Sequence, residues 1–265
     1  MLLPLYQIDA FTDTIFTGNP AAVCPLTAWL PAETMQAIAA ENNLAETAFF
    51  VPKSTVGEYE IRWFTPAVEV ELCGHATLAS AHVLLRHLHF QGEEITFHSK
   101  SGPLRVRRHP SGRLTLDFPS RPPHPLAELP DGLLAGLGAT PVQVLAGPDL
   151  VALFNSEAEI RALQPNQAQL ALVPYRAVIV TAPGSGEVDF VSRFFGPRVG
   201  VPEDPVTGSA HTTLIPYWAE KLGKTALHAR QVSPRGGELW CELHGDRVLI
   251  SGYAVTYLRG EIEVG

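Results

Sequence analysis

Polar and apolar residues alternate along many short segments of this chain, and that pattern predicts a strand-rich fold. Strands are predicted where apolar side chains recur at every second position, at residues 5–9, 48–50, 61–63, 104–106, 114–118, 178–180, 239–241 and 248–250. Helices are predicted for three other segments, at residues 32–42, 75–88 and 209–222. Pro31 precedes the first helix, a position that suits a helix start.

A nine-residue piece of the first half recurs in the second half. The sequence RWFTPAVEV at 62–70 matches RFFGPRVGV at 193–201, with an offset of 131 residues between the two copies. A single match of this length occurs readily by chance in a strand-rich chain. Its weight therefore depends on the segments that come after each copy.

The same two features come after both copies in the same order. A glycine enters an alanine-containing helix, at Gly74 in the first copy and at Gly208 in the second, where the offset has grown to 134 residues. A hairpin comes next, at 101–114 and again at 236–247. The shared order predicts an internal duplication, with three residues inserted in the second copy after the matched strand.

The helix at 75–88 is apolar on most sides, so it is expected to lie in a core. Each half is predicted to be an antiparallel, barrel-like sheet wrapped around one such helix, which makes the fold α+β. Pro216 is expected to bend the second helix or delay its start, since proline costs about 3 kcal/mol inside a helix. The proline-rich stretch near residue 120 is predicted to divide the chain into two halves, 1–120 and 121–265. In an alternative arrangement, the last strands of the chain pack on the first half.

Composition and charge narrow the class of partner. The 265 residues carry a formal net charge of -8 and no cluster of lysine and arginine, which argues against binding to nucleic acid and favours a small-molecule substrate. No signal-peptide pattern and no apolar run of about 18 residues is found, so neither a membrane span nor secretion is expected, and a cytoplasmic protein is predicted. Three cysteines without a CxxC pair predict reduced thiols.

Gly74 and Gly208 each stand at the start of a predicted core helix. Free backbone N–H groups and the helix dipole make such a start an anion site, and a glycine lets a ligand approach the backbone. If a pseudo-two-fold axis relates the halves, both helix starts face one interdomain cleft that suits a small anionic substrate such as a carboxylate. The alternative is that each glycine merely forms a turn into a core helix.

Glu46 is the only carboxylate in a predicted strand of apolar and small residues. Apolar surroundings raise the pKa of a carboxyl group toward neutrality, where the group can both take and return a proton. We therefore predict Glu46 as a general acid and base. The alternative is an outward-facing glutamate on an edge strand.

Three further polar residues flank the glycines. His75 lies in the first turn of its helix, where the dipole favours a neutral ring that orients a substrate, or it has a structural role. Asp204 precedes the second helix, where it binds substrate, caps the helix or forms a turn, and Ser209 caps the helix or binds substrate. Cys73 has Thr207 as its counterpart and is expected to serve packing. The other histidines lack metal-ligand spacing, so no metal site is expected.

Taken together, these segments resemble the phenazine-biosynthesis-like (PhzF-like) family over nearly the whole chain. The pieces that carry the resemblance are 9–12 with 18–23, 43–49, 62–66, 72–79 and 203–210. The resemblance implies the diaminopimelate-epimerase-like fold, with two barrel-like halves that each enclose a central helix. It also implies an isomerase that needs no cofactor, and a homodimer.

The resemblance also implies roles for individual residues. In the phenazine enzyme a glutamate moves a proton within a dihydro-hydroxyanthranilate ring, and Glu46 occupies the matching position. The family's histidine, aspartate and serine correspond to His75, Asp204 and Ser209, which hold and polarise the substrate. The two-cysteine pair of the epimerase and racemase relatives is absent, which argues against racemisation through thiols. A non-catalytic binding protein, or an amino-acid racemase that uses Cys73 with a non-thiol partner, remain as alternatives.

Overall fold

The computed structural model describes residues 1–265 and combines many strands with few helices. The elements of the first part of the chain are β1 (Leu2–Ala10), β2 (Asn19–Pro25), α1 (Ala32–Asn42), β3 (Glu46–Pro52), β4 (Glu58–Phe64), β5 (Glu69–Val70), α2 (Gly74–Arg86), β6 (Glu94–Ser99), β7 (Gly102–Arg108) and β8 (Leu114–Pro119). The predicted helix at 32–42 is therefore found at the predicted residues. Helix α2 begins one residue before its prediction and ends two residues earlier.

The second part of the chain adds the remaining strands and four helices. Its elements are β9 (His124–Pro125), α3 (Leu133–Leu137), β10 (Gln143–Ala146), β11 (Leu150–Leu153), α4 (Glu157–Ala162), α5 (Gln167–Leu170), β12 (Val178–Pro183), β13 (Phe190–Gly196), a short 3₁₀ helix (Pro197–Val199), β14 (Val201–Asp204), α6 (Gly208–Leu222), β15 (Ala226–Gln231), β16 (Gly237–His244), β17 (Arg247–Gly252) and β18 (Ala254–Glu263). No helix has both the length and the apolar character needed to cross a bilayer.

The chain forms two compact units. Residues 1–117 and 251–265 make up the first unit, and residues 118–250 make up the second. The last strand belongs to the first unit because β18 pairs antiparallel with β1 along its length, with Leu2 opposite Glu263.

Both units use the same order of strand pairing. In the first, β1–β2 is antiparallel, β2–β3 parallel, β3–β4 antiparallel, β4–β6 parallel and β6–β7 antiparallel. In the second, β10–β11, β11–β12, β12–β13, β13–β15 and β15–β16 repeat that alternation. The outer pair β1–β18 corresponds to β9–β10. The predicted α+β fold of two similar halves is confirmed, but the prediction of antiparallel sheets is wrong, because each unit contains two parallel strand pairs.

Each unit encloses one long, largely buried helix. Helix α2 packs against β1, β2 and β3, and helix α6 packs against β15 and β16. Helix α6 runs through Pro216 from Gly208 rather than starting after it. The carbonyl of Thr212, which Pro216 cannot bond, accepts a hydrogen bond from the backbone N–H of Arg121 at 2.9 Å. An outside donor thus replaces the helical bond that proline removes.

The repeat holds, but the sequence match put its insertion in the wrong place. Trp63 lies opposite Val70 in the first unit, whereas the equivalent Phe194 lies opposite Asp204 in the second. Val70 therefore corresponds to Asp204 and not to Val201. The three additional residues lie before this point, in the segment that contains the 3₁₀ helix.

Candidate active site

Glu46 is the first residue of a central strand. Strand β3 lies between β2 on one side and β4 on the other, so the edge-strand alternative is wrong. Residues 47–51 are all buried, which means that both faces of this strand are covered by protein. The Glu46 side chain, at the strand's entrance, keeps 18% of its surface exposed.

The turn between α1 and β3 fixes the position of Glu46 at the start of the strand. Helix α1 is capped by Asn43, which adopts a left-handed conformation with φ 49° and donates its N–H to the carbonyl of Ala39 at 3.2 Å. Asparagine tolerates this conformation better than most residues. The Asn42 side chain donates to the Thr47 hydroxyl at 3.1 Å and ties the helix end to the strand.

His75 lies against Glu46 from the first turn of α2. Its Nε2 is 3.2 Å from Oε2 of Glu46, although the two atoms lack the alignment of a hydrogen bond. Burial lowers the pKa of His75 to about 4, and a hydrogen bond to the Pro20 carbonyl opposes this only in part. The ring is therefore neutral near pH 7, so the contact with Glu46 is not an ion pair. Desolvation is the main cause, rather than the helix dipole on which the sequence argument rested.

Cys73 completes a three-residue group with potential metal ligands. Its Sγ lies 3.5 Å from Nδ1 of His75, and one ligand atom from each of Glu46, Cys73 and His75 lies within 4.8 Å of the others. The thiol and the carboxylate face different ring nitrogens. A metal ion binds one ring nitrogen, while the other usually contacts an outer-shell acceptor. An ion on either nitrogen would therefore have one of these two neighbours in the outer position.

Neither of the two core helices has a side-chain cap at its N-terminus. The residues before Gly74 and Gly208 are Cys73 and Thr207, which are extended and make no side-chain cap to their helices. Neither glycine has a positive φ, so backbone strain does not require glycine at either position. The first-turn N–H groups lack a capping side chain, as an anion site requires.

The carbonyl before each helix is bound in the same way in both units. The side chain four residues later donates to it, from Thr77 Oγ1 to Cys73 at 2.5 Å and from His211 Nδ1 to Thr207 at 2.8 Å. His211 is buried, and burial lowers its pKa to about 4, so the donating ring is neutral. The two helix starts are thus equivalent in structure as well as in sequence.

Asp204 shapes the turn that leads into α6. Its Oδ2 accepts a hydrogen bond from the hydroxyl of Thr207, which is the residue at the N-cap position. Buried Gln231 fixes the same turn, because its Oε1 accepts from the Thr207 N–H at 2.9 Å and its Nε2 donates to the Asp204 carbonyl at 2.6 Å. The sequence analysis did not identify Gln231, because a single glutamine at the end of a strand belongs to no recognisable motif.

Ser209 does not cap its helix, since the N-cap residue is Thr207. Its Oγ lies 3.1 Å from Nη2 of Arg176, an arginine that sequence reasoning also missed. Among the predicted residues, the structure brings Glu46 and His75 together in the first unit. It groups Asp204 and Ser209 around the start of α6 in the second.

Comparisons with known proteins cover the whole chain. A family model described as phenazine biosynthesis-like protein matches residues 8–260. A protein of Pseudomonas aeruginosa named as an uncharacterized isomerase is 53% identical over 264 residues, which is 100% of both chains. A crystal structure of a PhzF-family phenazine biosynthesis protein from Enterococcus faecalis is 45% identical, covers 100% of both chains and has a TM-score of 0.95. A hydroxyproline epimerase from Agrobacterium vitis, 10% identical with a TM-score of 0.63, shares the fold over 98% of this chain and 92% of its own.

Proposed function

The chain belongs to the phenazine biosynthesis-like protein family and is an isomerase, and from that premise we propose that Glu46 moves a proton within a small substrate bearing amino and carboxylate groups. No cofactor takes part in this scheme. Glu46 removes a proton from an activated carbon and returns it to another carbon of the same molecule. The substrate is thereby rearranged with no net gain or loss of atoms.

The observation that carries this proposal is the contact between Glu46 and a neutral His75. A cationic partner holds a carboxylate in its ionised form, as Arg62 and Lys100 do for Glu69, and lowers the pKa of Glu69 to about 2. Such a carboxylate is a poor base. The His75 ring is neutral and buried, so it does not hold Glu46 in the ionised form as an arginine or a lysine would.

Asp204 and Ser209 are proposed to bind polar groups of the substrate, together with the uncapped start of α6. The resemblance to the phenazine enzyme supports these roles. The geometry is compatible with them because Ser209 is not used as a cap and Asp204 lies within hydrogen-bond reach of the helix entrance. His75 is proposed to hold the substrate as well as to contact Glu46.

The test is exchange of substrate hydrogen with solvent deuterium. We expect the wild-type protein to incorporate deuterium from D2O into cyclic amino acids with an activated C–H bond, as followed by NMR. Glu46→Gln should lower the exchange rate by about 100- to 10,000-fold, the usual contribution of a general acid and base. Its melting temperature and its affinity for the same compound should stay close to those of the wild type.

A matched control separates the proton carrier from a general loss of charge. Glu41 lies exposed on α1, so Glu41→Gln should leave the exchange rate unchanged. Undiminished exchange in Glu46→Gln would contradict the role of Glu46. Ligand binding without exchange in the wild type, and with the same affinity in Glu46→Gln, would instead favour a non-catalytic binding protein.

A further inference from the structure

Arg176 and Asp149 form an ion pair in the second unit to which the proposed mechanism assigns no role. Asp149 is 2% exposed and binds the guanidinium with both oxygens, at 2.8 Å from Nε and 2.5 Å from Nη2. Each residue lies just before a strand. Because β11 and β12 are parallel, with Leu150 opposite Val178, both residues lie at the same end of the sheet.

The guanidinium is held in orientation as well as in place. A two-point contact with a carboxylate fixes the plane of the arginine fork. Its Cζ also lies 5.6 Å from the centre of the Phe194 ring, which adds a cation–π contact. The Arg176 side chain nevertheless keeps 47% of its surface exposed, so this fixed group lies at the surface of the unit.

The third contact of this guanidinium determines what Ser209 can do. Nη2 of Arg176 lies 3.1 Å from Oγ of Ser209. An arginine has only donors, whereas a serine hydroxyl has one donor and two acceptor sites. The serine oxygen therefore accepts from Arg176, and the serine hydrogen is left to point to another acceptor. Ser209 is the second residue of α6, so its hydroxyl group lies in the first turn of that helix.

We infer that Arg176, held by Asp149, is a positioning residue that makes the Ser209 hydroxyl a donor to a carboxylate of the substrate. The inference rests on the proposed function, because it specifies which substrate group the second unit binds. Asp149 balances the charge of Arg176. The pair therefore acts through the direction of the serine hydroxyl more than through long-range attraction.

The test uses 2-aminobenzoate as the probe, a planar ring with one amino and one carboxylate group. Its binding is measured by isothermal titration calorimetry and compared with that of 2-methylaniline, in which a methyl group replaces the carboxylate. We expect Ser209→Ala and Arg176→Met each to weaken binding of 2-aminobenzoate by about tenfold, the order expected for one hydrogen bond to a charged group. Binding of 2-methylaniline should be unchanged.

The double variant and a control arginine separate positioning from folding. If Arg176 acts through Ser209, the double variant should bind 2-aminobenzoate no more weakly than Ser209→Ala alone. Arg198 of the same unit donates to the Val173 carbonyl instead, so Arg198→Met should bind like the wild type. Additive losses in the double variant, or an equal loss for both probes, would overturn the inference.

The outcome is distinguishable from failure of the proposed function. Binding of 2-aminobenzoate to the wild type and to the Ser209 and Arg176 variants is measured without turnover, so it does not depend on whether Glu46 moves a proton. Failure of deuterium exchange with intact carboxylate-dependent binding would therefore reject the proton-transfer role and retain Arg176. Absence of 2-aminobenzoate binding to the wild type would overturn the inference about Arg176 and leave the exchange experiment to decide the role of Glu46.

Discussion

Burial sets the ionisation of the side chains around the candidate proton carrier. His75 is neutral near pH 7 because its ring is desolvated, and the thiol of Cys24 has its pKa raised to about 12 for the same reason. Burial also raises the pKa of the Cys241 thiol. A protonated thiol is a weak nucleophile and a weak base. Of the three cysteines, only Cys73 contacts the Glu46 and His75 pair, so it alone bears on the racemase alternative.

Replacement of Cys73 tests that alternative directly. We expect Cys73→Ala to keep most of the deuterium-exchange activity, because the proposed proton carrier is Glu46 and the thiol faces the other side of the His75 ring. The measurement is the exchange rate in parallel with Glu46→Gln. A loss as large as that of Glu46→Gln, in a variant with normal thermal stability, would support a thiol mechanism instead.

At the scale of elements, each unit carries the same arginine–glutamate clasp between equivalent strands. Arg62 on β4 binds Glu69 on β5, and Arg193 on β13 binds Glu203 on β14, with two hydrogen bonds in each case. The arginine of the second clasp is more buried than that of the first. The side chain of Arg193 is 9% exposed, against 25% for Arg62, and its Nη1 also donates to the carbonyl groups of two residues near the end of α4.

This difference predicts unequal costs for the same substitution. Arg193→Met should lower the free energy of unfolding by about 3 to 5 kcal/mol, because it removes a buried partner of the Glu203 carboxylate and of the Leu163 carbonyl. Arg62→Met should cost about 1 kcal/mol or less, since Arg62 is more exposed than Arg193 and its carboxylate partner keeps Lys100. Urea unfolding of both variants measures the difference. Equal costs would show that burial does not govern the strength of the clasp.

Some of the elements that sequence reasoning missed have a clear physical cause. Strand β13 is buried along its full length, so its residues show no alternation of apolar and polar positions. Helices α3, α4 and α5 have only four to six residues each, too few for a helical period to stand out. Periodicity also missed the alternating strands β6 and β15 and the ten-residue strand β18, although β6 and β15 each have one covered face.

At the scale of the whole molecule, three neutral histidines couple the fold to pH. Burial lowers the pKa of His75, His82 and His211 from 6.5 to about 4. Between these values the unfolded chain binds more protons than the folded chain does. Stability therefore falls as the pH falls from 6.5 toward 4.

Acid should thus destabilise the protein well before the ion pairs of Glu69 are lost. Each of the three histidines contributes up to about 1.4 kcal/mol of lost stability per pH unit below 6.5. Glu69 stays ionised in this range because its pKa is about 2. Urea unfolding at pH 7 and pH 5 measures the loss. His82→Gln should reduce the pH dependence, whereas His244→Gln, at an exposed histidine, should not. An unchanged free energy of unfolding at pH 5 would contradict this coupling.

The sequence by itself determined the strand-rich fold, the core helices, the duplication and the residues around Gly74 and Gly208. These features are local or are repeated along the chain, so periodicity and self-comparison reveal them. Only the tertiary structure decided three other features: the neutral charge of His75, the place of the insertion and the contact of Arg176 with Ser209. Each of these depends on burial, on strand register or on side chains distant in sequence, and a pattern of neighbouring residues does not contain them.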